Sequence, residues 1–206
     1  MSQGTTAVER ARGTGCAVWF TGIPASGKTT IAKAVERILR ERGLLVENLD
    51  GDEVRKVLSP LEKWSREDIE RHLTRVTWVA KVLARNGVIA LISAVAPHKE
   101  FRDRARSQIE RFVEVYVRCP VAVCRQRDPQ GLYKRVDEGK ATDVPGVHIP
   151  YEEPDRAELI LDTDQEPVEA SVAKTLRRLE ELGHLSVYDA AEQAQVVERL
   201  NKLGYL

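Results

Sequence analysis

The sequence predicts an α/β protein in which a parallel β-sheet is covered by helices on both faces and carries a lid. Strand-like and helix-like segments alternate along the chain, and a glycine-rich turn joins the first strand to the first helix. The strand-like segments are mostly apolar, as expected of parallel strands that are buried on both faces. Alternation of this kind implies a parallel sheet with its helices packed on either side.

The first strand, turn and helix lie in one continuous stretch. Residues 16–21 form a short apolar run, and residues 30–40 place apolar side chains at helical spacing. Between them, residues 22–29 read Gly-Ile-Pro-Ala-Ser-Gly-Lys-Thr, which matches the phosphate-binding loop (P-loop, or Walker A) pattern G-x-x-x-x-G-K-[ST]. A strand, a glycine-rich turn and a helix N-terminus together direct backbone N–H groups at an anion. The chain is therefore predicted to bind a nucleoside triphosphate.

Each fixed position of the P-loop pattern has a chemical role. Gly22 and Gly27 permit close approach of the backbone to phosphate, and Lys28 reaches the terminal phosphates. The Thr29 hydroxyl can ligate magnesium.

The remaining elements follow in order. Further strands are predicted at residues 44–49, 88–95, 112–117 and 158–162, and further helices at 67–86 and 99–111. The strand at 88–95 is apolar on both faces and is expected to lie in the interior of the sheet.

Three segments fall outside this regular alternation. Residues 119–155 are charged and rich in turn formers, which indicates a mobile lid over the nucleotide, although an ordinary surface excursion is the alternative. Residues 1–14 are expected to be flexible, residues 15–183 to form the P-loop domain, and residues 184–206 to add a C-terminal helical extension.

Composition excludes several classes of protein. Lysine plus arginine and aspartate plus glutamate are equal at 32 each, so no global basic field indicates nucleic-acid binding. The three cysteines lack metal-ligand spacing and are expected to be reduced core residues, as in a cytoplasmic protein. No apolar run is long enough to span a membrane.

The second strand ends in Asp50-Gly51-Asp52, at the edge where open α/β sheets bind ligands. One carboxylate can hold magnesium while the other orients or deprotonates an acceptor hydroxyl. Arg55, one turn into the next helix, would then face an anionic acceptor. A simple Asp-Gly-Asp turn is the alternative interpretation. Because the chain contains no Asn-Lys-x-Asp sequence for reading guanine, a small-molecule kinase is favoured over a GTP switch.

Several ordered motifs between about residues 15 and 182 resemble those of adenylylsulfate kinases. They are Phe20-Thr-Gly-x-x-x-Ser-Gly-Lys-Thr29, Leu49-Asp-Gly-Asp-x-Val-Arg55, Trp64-Ser-x-Glu-Asp68, Pro97-x-Lys-x-x-Arg-Asp-Arg-Ala-Arg106, Cys124-x-x-Arg-Asp-Pro-x-Gly-Leu-Tyr-Lys134, Pro150-Tyr-Glu-x-Pro154 and Leu159-x-Leu-Asp-Thr163. The resemblance implies transfer of the ATP γ-phosphate to the 3′-hydroxyl of adenosine 5′-phosphosulfate, a step of sulfate assimilation. It also implies Mg²⁺ and a homodimer.

The resemblance assigns site residues by position. ATP would be held by the loop and by two lid cations, namely Gly22, Ile23, Pro24, Ala25, Ser26, Gly27, Lys28, Thr29, Thr30, Arg127 and Lys134. The catalytic residues would be Lys28, Asp50 and Asp52, and the metal ligands would be Thr29 and Asp50. The acceptor would be held by Asp52, Arg55, Trp64, Arg75, Pro97, Lys99 and Arg102.

The acceptor half of the site departs from the family pattern while the ATP half agrees with it. The departures are Ile69, His72, Thr74, Ala96, Thr142 and Val144, where the family usually has Arg, Asn, Arg, Ser, Lys and Phe. Two explanations remain open: a divergent adenylylsulfate kinase with rearranged anion contacts, or a kinase of the same fold acting on another nucleotide-like or sugar hydroxyl. A third, a non-catalytic nucleotide-binding protein, is disfavoured by the intact Lys28 and Asp52.

Overall fold

The computed structural model describes residues 15–61 and 65–185. Its five strands are β1 (Ala17–Thr21), β2 (Val46–Asp50), β3 (Ile89–Ser93), β4 (Phe112–Arg118) and β5 (Leu159–Asp162). Its helices are α1 (Lys28–Glu41), α2 (Gly51–Leu58), α3 (Arg66–Arg85), α4 (Lys99–Gln108), α5 (Val121–Arg127), α6 (Leu132–Asp137) and α7 (Val168–Glu181).

The strands form one parallel sheet in the order β2-β3-β1-β4-β5. The central strand is β1, whose Ala17 lies opposite Ala90 of β3 and Phe112 of β4. The predicted interior position of β3 is confirmed, since it lies between β2 and β1 and is buried throughout. The P-loop therefore leaves the sheet from its middle strand, with a neighbouring strand end on either side.

Alternate side chains of the strands supply two separate cores, one on each face. Val18, Phe20 and Leu91 face one core, which α1 and α7 complete. Trp19 and Ile92 face the other, which α3 and α4 complete. Complete burial of each large apolar side chain contributes about 1.5–3 kcal/mol to stability. The layered arrangement predicted from the strand and helix pattern is thus confirmed.

The structure differs from the sequence-based expectation in two places. The helix predicted at 99–111 ends at Gln108, because Ile109 takes an extended conformation and is 3% exposed. The lid contains α5 and α6, two short helices that no apolar periodicity indicated.

The predicted termini lie largely outside the described residues, namely all of 1–14 and residues 186–206 of the C-terminal extension. Leu185 is buried against the core of α1 and α7, so the packed domain reaches at least this residue. All three cysteines are free and buried, as expected. Within the described ranges, every helix is too short or too polar to cross a membrane.

Candidate functional site

The P-loop has the backbone geometry that phosphate binding requires. Gly22 has φ 148°, and a Cβ at this position would lie 2.4 Å from the carbonyl oxygen of Val117. Gly27 has φ 108° and precedes α1 without a side chain that could cap the helix. The first N–H groups of α1 therefore point into the loop, where an anion can accept their hydrogen bonds.

Lys28 is folded back into this loop. Its Nζ donates to the carbonyl oxygens of Gly22 at 2.9 Å and Ile23 at 2.8 Å. Burial lowers the pKa of Lys28 to about 8, a shift opposed by the nearby charges of Asp52 and Asp50. The ammonium therefore occupies a weakly solvated position in which a phosphate would be its strongest partner.

Asp50 ends β2 and is 7% exposed. Its Oδ1 accepts the backbone N–H of Asp52 at 3.1 Å, so it caps α2. Its Oδ2 is buried and has no hydrogen-bond partner, and the same is true of the Oγ of Ser93. These two residues are register partners on β2 and β3, and by strand alternation both point to the face that carries α1. The two unsatisfied oxygens thus belong to paired residues at the carboxyl end of the sheet, the end from which the P-loop leaves β1.

The beginning of the lid is fastened to the P-loop. Arg127 donates to the carbonyl oxygens of Ser26 and Thr163, and the Thr163 hydroxyl donates to the same Ser26 oxygen at 2.7 Å. The Tyr133 hydroxyl donates to the carbonyl oxygen of Pro24 at 2.9 Å. Arg127 therefore lies beside the P-loop.

An apolar cluster extends this contact between lid and loop. Ile23 packs with Cys119, Cys124 and Tyr133. A Cβ at Gly146, near the far end of the lid, would lie 2.8 Å from Cγ2 of Ile23. The lid thus rests on the loop at both of its ends.

The other predicted lid cation, Lys134, lies in the first turn of α6, just after the turn that joins α5 to α6. The carboxylate of Asp128 accepts the backbone N–H groups of Tyr133 at 3.1 Å and Lys134 at 3.0 Å. In the same turn, Nε2 of Gln130 donates to Oδ2 of Asp52 at 2.7 Å. The lid therefore touches both the P-loop and the carboxylate that was predicted to act on the acceptor.

The predicted acceptor side is built on α2 and α3. Arg55 lies one turn after Asp52 on α2 and is partly exposed. Arg75 donates from Nη1 to the carbonyl oxygen of Leu58 and the hydroxyl of Ser59, both at 2.9 Å. His72 is 4% exposed, and its Nδ1 lies 2.9 Å from the same hydroxyl. Trp64 falls outside the described residues.

Two further predicted acceptor residues lie where the lid returns to the domain. Pro97 is buried, and its carbonyl oxygen accepts the N–H of Glu152 at 2.9 Å. Lys99 pairs with Asp155 at 2.6 Å and keeps 38% of its side chain exposed. Both are within the region that joins the lid to α4.

Arg102 requires a correction. It is 2% exposed, and its guanidinium donates to Glu114 at 2.8 Å and to the carbonyl oxygens of Ala96 and Glu152. Its three nitrogen atoms are thus all bound to protein. The predicted direct contact between Arg102 and the acceptor does not fit this burial, and the residue instead anchors the end of the lid to β4 and α4.

The departures from the family pattern occupy different environments. Ile69 and Val144 are buried, at 5% and 4% exposure. Thr74 and Thr142 are exposed and bond locally, to the carbonyl oxygen of Glu70 and to Asp143. Ala96 is buried with a positive φ of 43°. Ile69 therefore faces the apolar core. With α3 in this orientation, an arginine at position 69 would bury its charge among apolar side chains.

Two site residues were missed at the sequence level. Ser93 ends an apolar strand, and the only signal was its place at the carboxyl end of β3, where ligands bind. Gln130 lies 78 positions from its partner, and no local pattern indicates such a contact.

Comparison with known proteins gives consistent similarities. A family model described as adenylylsulphate kinase matches residues 14–162. The adenylyl-sulfate kinase of Rippkaea orientalis is 45% identical over 172 residues, 84% of this chain and 95% of that protein. The solved Mycobacterium tuberculosis APS kinase CysC in complex with AMPPNP and APS is similar with a TM-score of 0.78 at 35% identity, covering 81% of this chain and 98% of that one.

A hexameric APS kinase from Thiobacillus denitrificans is similar with a TM-score of 0.66 at 30% identity, covering 87% of this chain and 31% of that one. The fold predicted from the sequence is thus shared with solved P-loop kinases.

Proposed function

This chain belongs to the adenylylsulphate kinase family, and from that premise we propose that it transfers the γ-phosphate of ATP to the 3′-hydroxyl of adenylylsulfate, giving 3′-phosphoadenylylsulfate for sulfate assimilation. As a member of the family it is a phosphotransferase that acts on a hydroxyl group. The observation that carries the proposal is that Asp50 and Asp52 lie near enough to Lys28 of the P-loop for their charges to oppose the lowering of its pKa by burial.

The reaction needs one proton acceptor and fixed positive charge. The 3′-hydroxyl oxygen attacks the γ-phosphorus, and its proton passes to the Asp52 carboxylate. The bond from the γ-phosphorus to the bridging oxygen breaks, and ADP leaves with that electron pair. Lys28 and the N–H groups at the start of α1 stabilise the charge spread over the phosphoryl oxygens.

The residues present fit a magnesium ion. Mg²⁺ binds through oxygen, keeps several waters and uses one or two carboxylates together with substrate phosphates. The unsatisfied Oδ2 of Asp50 and Oγ of Ser93 are buried oxygens of the required kind, and Thr29 is exposed at the start of α1. We propose that Asp50 and Thr29 hold the ion or its waters, with Ser93 beside them. When bound, the ion would neutralise part of the negative charge on the phosphates during transfer.

The acceptor is proposed to meet cations from two sides. Arg55 and Arg75 lie on α2 and α3, while Lys99 begins α4 on the side of the lid's return. Trp64 is the proposed stacking partner for the adenine, because Val144 offers no aromatic face. On the ATP side, Arg127 is supported by its position against Ser26 and Thr163. Lys134 is carried over from the family motif.

Assembly and compartment are proposed at a coarser level. A homodimer follows from the family resemblance, although the similar Thiobacillus denitrificans kinase is hexameric. A reducing, cytoplasmic compartment suits three buried thiols that form no disulfide, and burial raises the pKa of the Cys16 thiol to about 12. Size-exclusion chromatography with light scattering measures the assembly directly.

The test is ADP release from ATP and Mg²⁺, with and without adenylylsulfate. We expect Lys28→Ala and Asp52→Ala to fold normally and to lose about 100- to 1000-fold in kcat/KM, because each acts on the reacting phosphoryl group or its acceptor. Lys33→Ala is the matched control, since Lys33 lies on the same helix with 56% of its side chain exposed.

The outcomes separate the alternatives. No turnover of adenylylsulfate, with ADP binding intact, would overturn the proposed acceptor and favour another nucleotide-like or sugar hydroxyl. Near-normal turnover by purified Asp52→Ala would remove Asp52 from the mechanism.

A further inference from the structure

One hydrogen bond connects the lid to the proposed proton acceptor. Nε2 of Gln130 donates to Oδ2 of Asp52 at 2.7 Å, although the residues are 78 positions apart in the chain. Asp52 lies in the first turn of α2, and Gln130 lies in the turn between α5 and α6. The side chain of Gln130 therefore connects the lid to the first turn of α2.

The backbone that carries Gln130 is held rigidly. Asp128 caps α6 with both carboxylate oxygens, and its carbonyl oxygen accepts the N–H of Gly131 at 3.0 Å. The carbonyl oxygen of Gln130 itself accepts from Nη1 of Arg135 at 2.8 Å. On either side, Arg127 and Tyr133 bind the P-loop. A rigid turn on the lid thus presents one primary amide to one carboxylate.

The backbone of Asp52 is held as well. The N–H of Asp52 is bound by Asp50, which fixes the first turn of α2. Rotation about the side chain of Asp52 remains, and the bond from Gln130 restrains that rotation. A neutral amide suits this task, because it donates to a carboxylate without supplying a positive charge that would compete with the acceptor's anionic groups.

We propose that Gln130 is a positioning residue for Asp52. It binds Oδ2 and leaves Oδ1 to accept the proton of the acceptor hydroxyl, so that the base is aligned when the lid rests on the P-loop. This inference rests on the proposed function, because it gives Asp52 the proton-accepting role.

Kinetics of the full chain test the assignment. Gln130→Ala and Gln130→Asn both remove an amide at the required reach, so kcat should fall about tenfold while the KM for ATP stays within about twofold. Gln165→Ala is the matched control, because its amide also donates to an aspartate, Asp164, in the turn that follows β5. An unchanged or increased kcat in Gln130→Ala would overturn the proposal, the increase indicating a latch that hinders turnover.

A second substitution separates positioning from general support of the lid. Gln130→Glu keeps the side-chain length but sets a second carboxylate against Asp52, and the two like charges repel each other. Its kcat should fall at least as far as that of Gln130→Ala, while the KM for ATP stays within about twofold. A Gln130→Glu variant with the native kcat would overturn the positioning role.

An activity-independent measurement distinguishes this inference from the proposed function. The side-chain amide signal of Gln130 in a ¹⁵N NMR spectrum, identified by its loss in Gln130→Ala, should shift in Asp52→Asn. An unshifted signal overturns the contact. Native protein that does not turn over adenylylsulfate contradicts the proposed function, and the NMR result then decides the contact alone.

Discussion

Asp50 accepts the backbone N–H of Asp52 at 3.1 Å, so the carboxylate that ends β2 also caps the helix that carries the second carboxylate. The two acidic residues of the Asp-Gly-Asp sequence are therefore mechanically coupled. The turn interpretation and the catalytic interpretation of this sequence are compatible, because one oxygen of Asp50 serves the turn and the other is unsatisfied.

Capping and metal binding by Asp50 can be separated by substitution. Asn caps a helix about as well as Asp, so Asp50→Asn should keep the melting temperature while raising the Mg²⁺ concentration for half-maximal activity about 10- to 100-fold. Asp50→Ala should show the same metal effect and lose about 1 kcal/mol of stability as well. Magnesium titrations and thermal unfolding measure the two effects. An unchanged magnesium requirement in Asp50→Asn would exclude it from the metal site.

Nucleotide affinity should depend on pH through Lys28, whose pKa burial lowers to about 8. Above that pH the free protein loses the ammonium, so ADP affinity should fall by at most about tenfold per pH unit. Lys33→Ala, which removes an exposed lysine from the same helix, should not alter this profile. Calorimetric titration between pH 7 and 10 makes the comparison, and a flat affinity would contradict the lowered pKa.

The same shift has the opposite effect on stability of the nucleotide-free protein. Between about pH 8 and the ordinary lysine value of 10.5, the unfolded chain binds a proton that the folded protein has released. The contribution of Lys28 to the free energy of unfolding therefore rises with pH across this window. Affinity and stability should accordingly move in opposite directions, which distinguishes titration of Lys28 from general alkaline unfolding.

Restoring the family residue at position 69 should damage the protein. Ile69 is 5% exposed among apolar side chains of α3 and the sheet, so Ile69→Arg buries an unpaired charge and should cost about 3 kcal/mol or more. Thr74→Arg places the same side chain on an exposed position of the same helix and should be tolerated. Urea unfolding of both variants decides the matter. An Ile69→Arg variant as stable as the native protein, with tighter adenylylsulfate binding, would show that α3 can rotate to open a pocket.

Arg102 should act through stability. Breaking its buried pair with Glu114 is expected to cost about 3 kcal/mol, near the low end for buried pairs, because Arg106 also contacts Glu114 at 3.2 Å. Arg104→Ala, which removes an arginine that is 45% exposed on the same helix, should have little effect. Unfolding free energies measure this directly. A normally stable Arg102→Ala with a raised KM for the acceptor alone would restore the original prediction of direct contact.

Prediction from the sequence succeeded where the signal was local. The strand, P-loop and first helix occupy one stretch, and their geometry follows from backbone rules that need no distant partner. The lid was located but its helices were not, because α5 and α6 have seven and six residues and are too short for an apolar period to emerge.

The environments of Arg102 and Gln130 could not be predicted from the sequence for a different reason. Arg102 was assigned to the acceptor by its position in a family motif, but Glu114 on β4 and two carbonyl oxygens bind all three of its guanidinium nitrogens. The bond from Gln130 to Asp52 arises only when the lid folds over β2. Contacts of this kind depend on tertiary structure, which periodicity and spacing do not encode.

The packing of the lid against Ile23 limits which lids can be exchanged between related enzymes. Cys119, Cys124 and Tyr133 cover Ile23, and Gly146 approaches it closely enough to exclude a β-carbon. The apolar core of the lid thus includes Ile23 of the P-loop, so the lid does not form a complete core of its own. A chimera that carries a relative's lid should therefore also carry that relative's residue at position 23, because otherwise the lid loses its apolar packing against the P-loop.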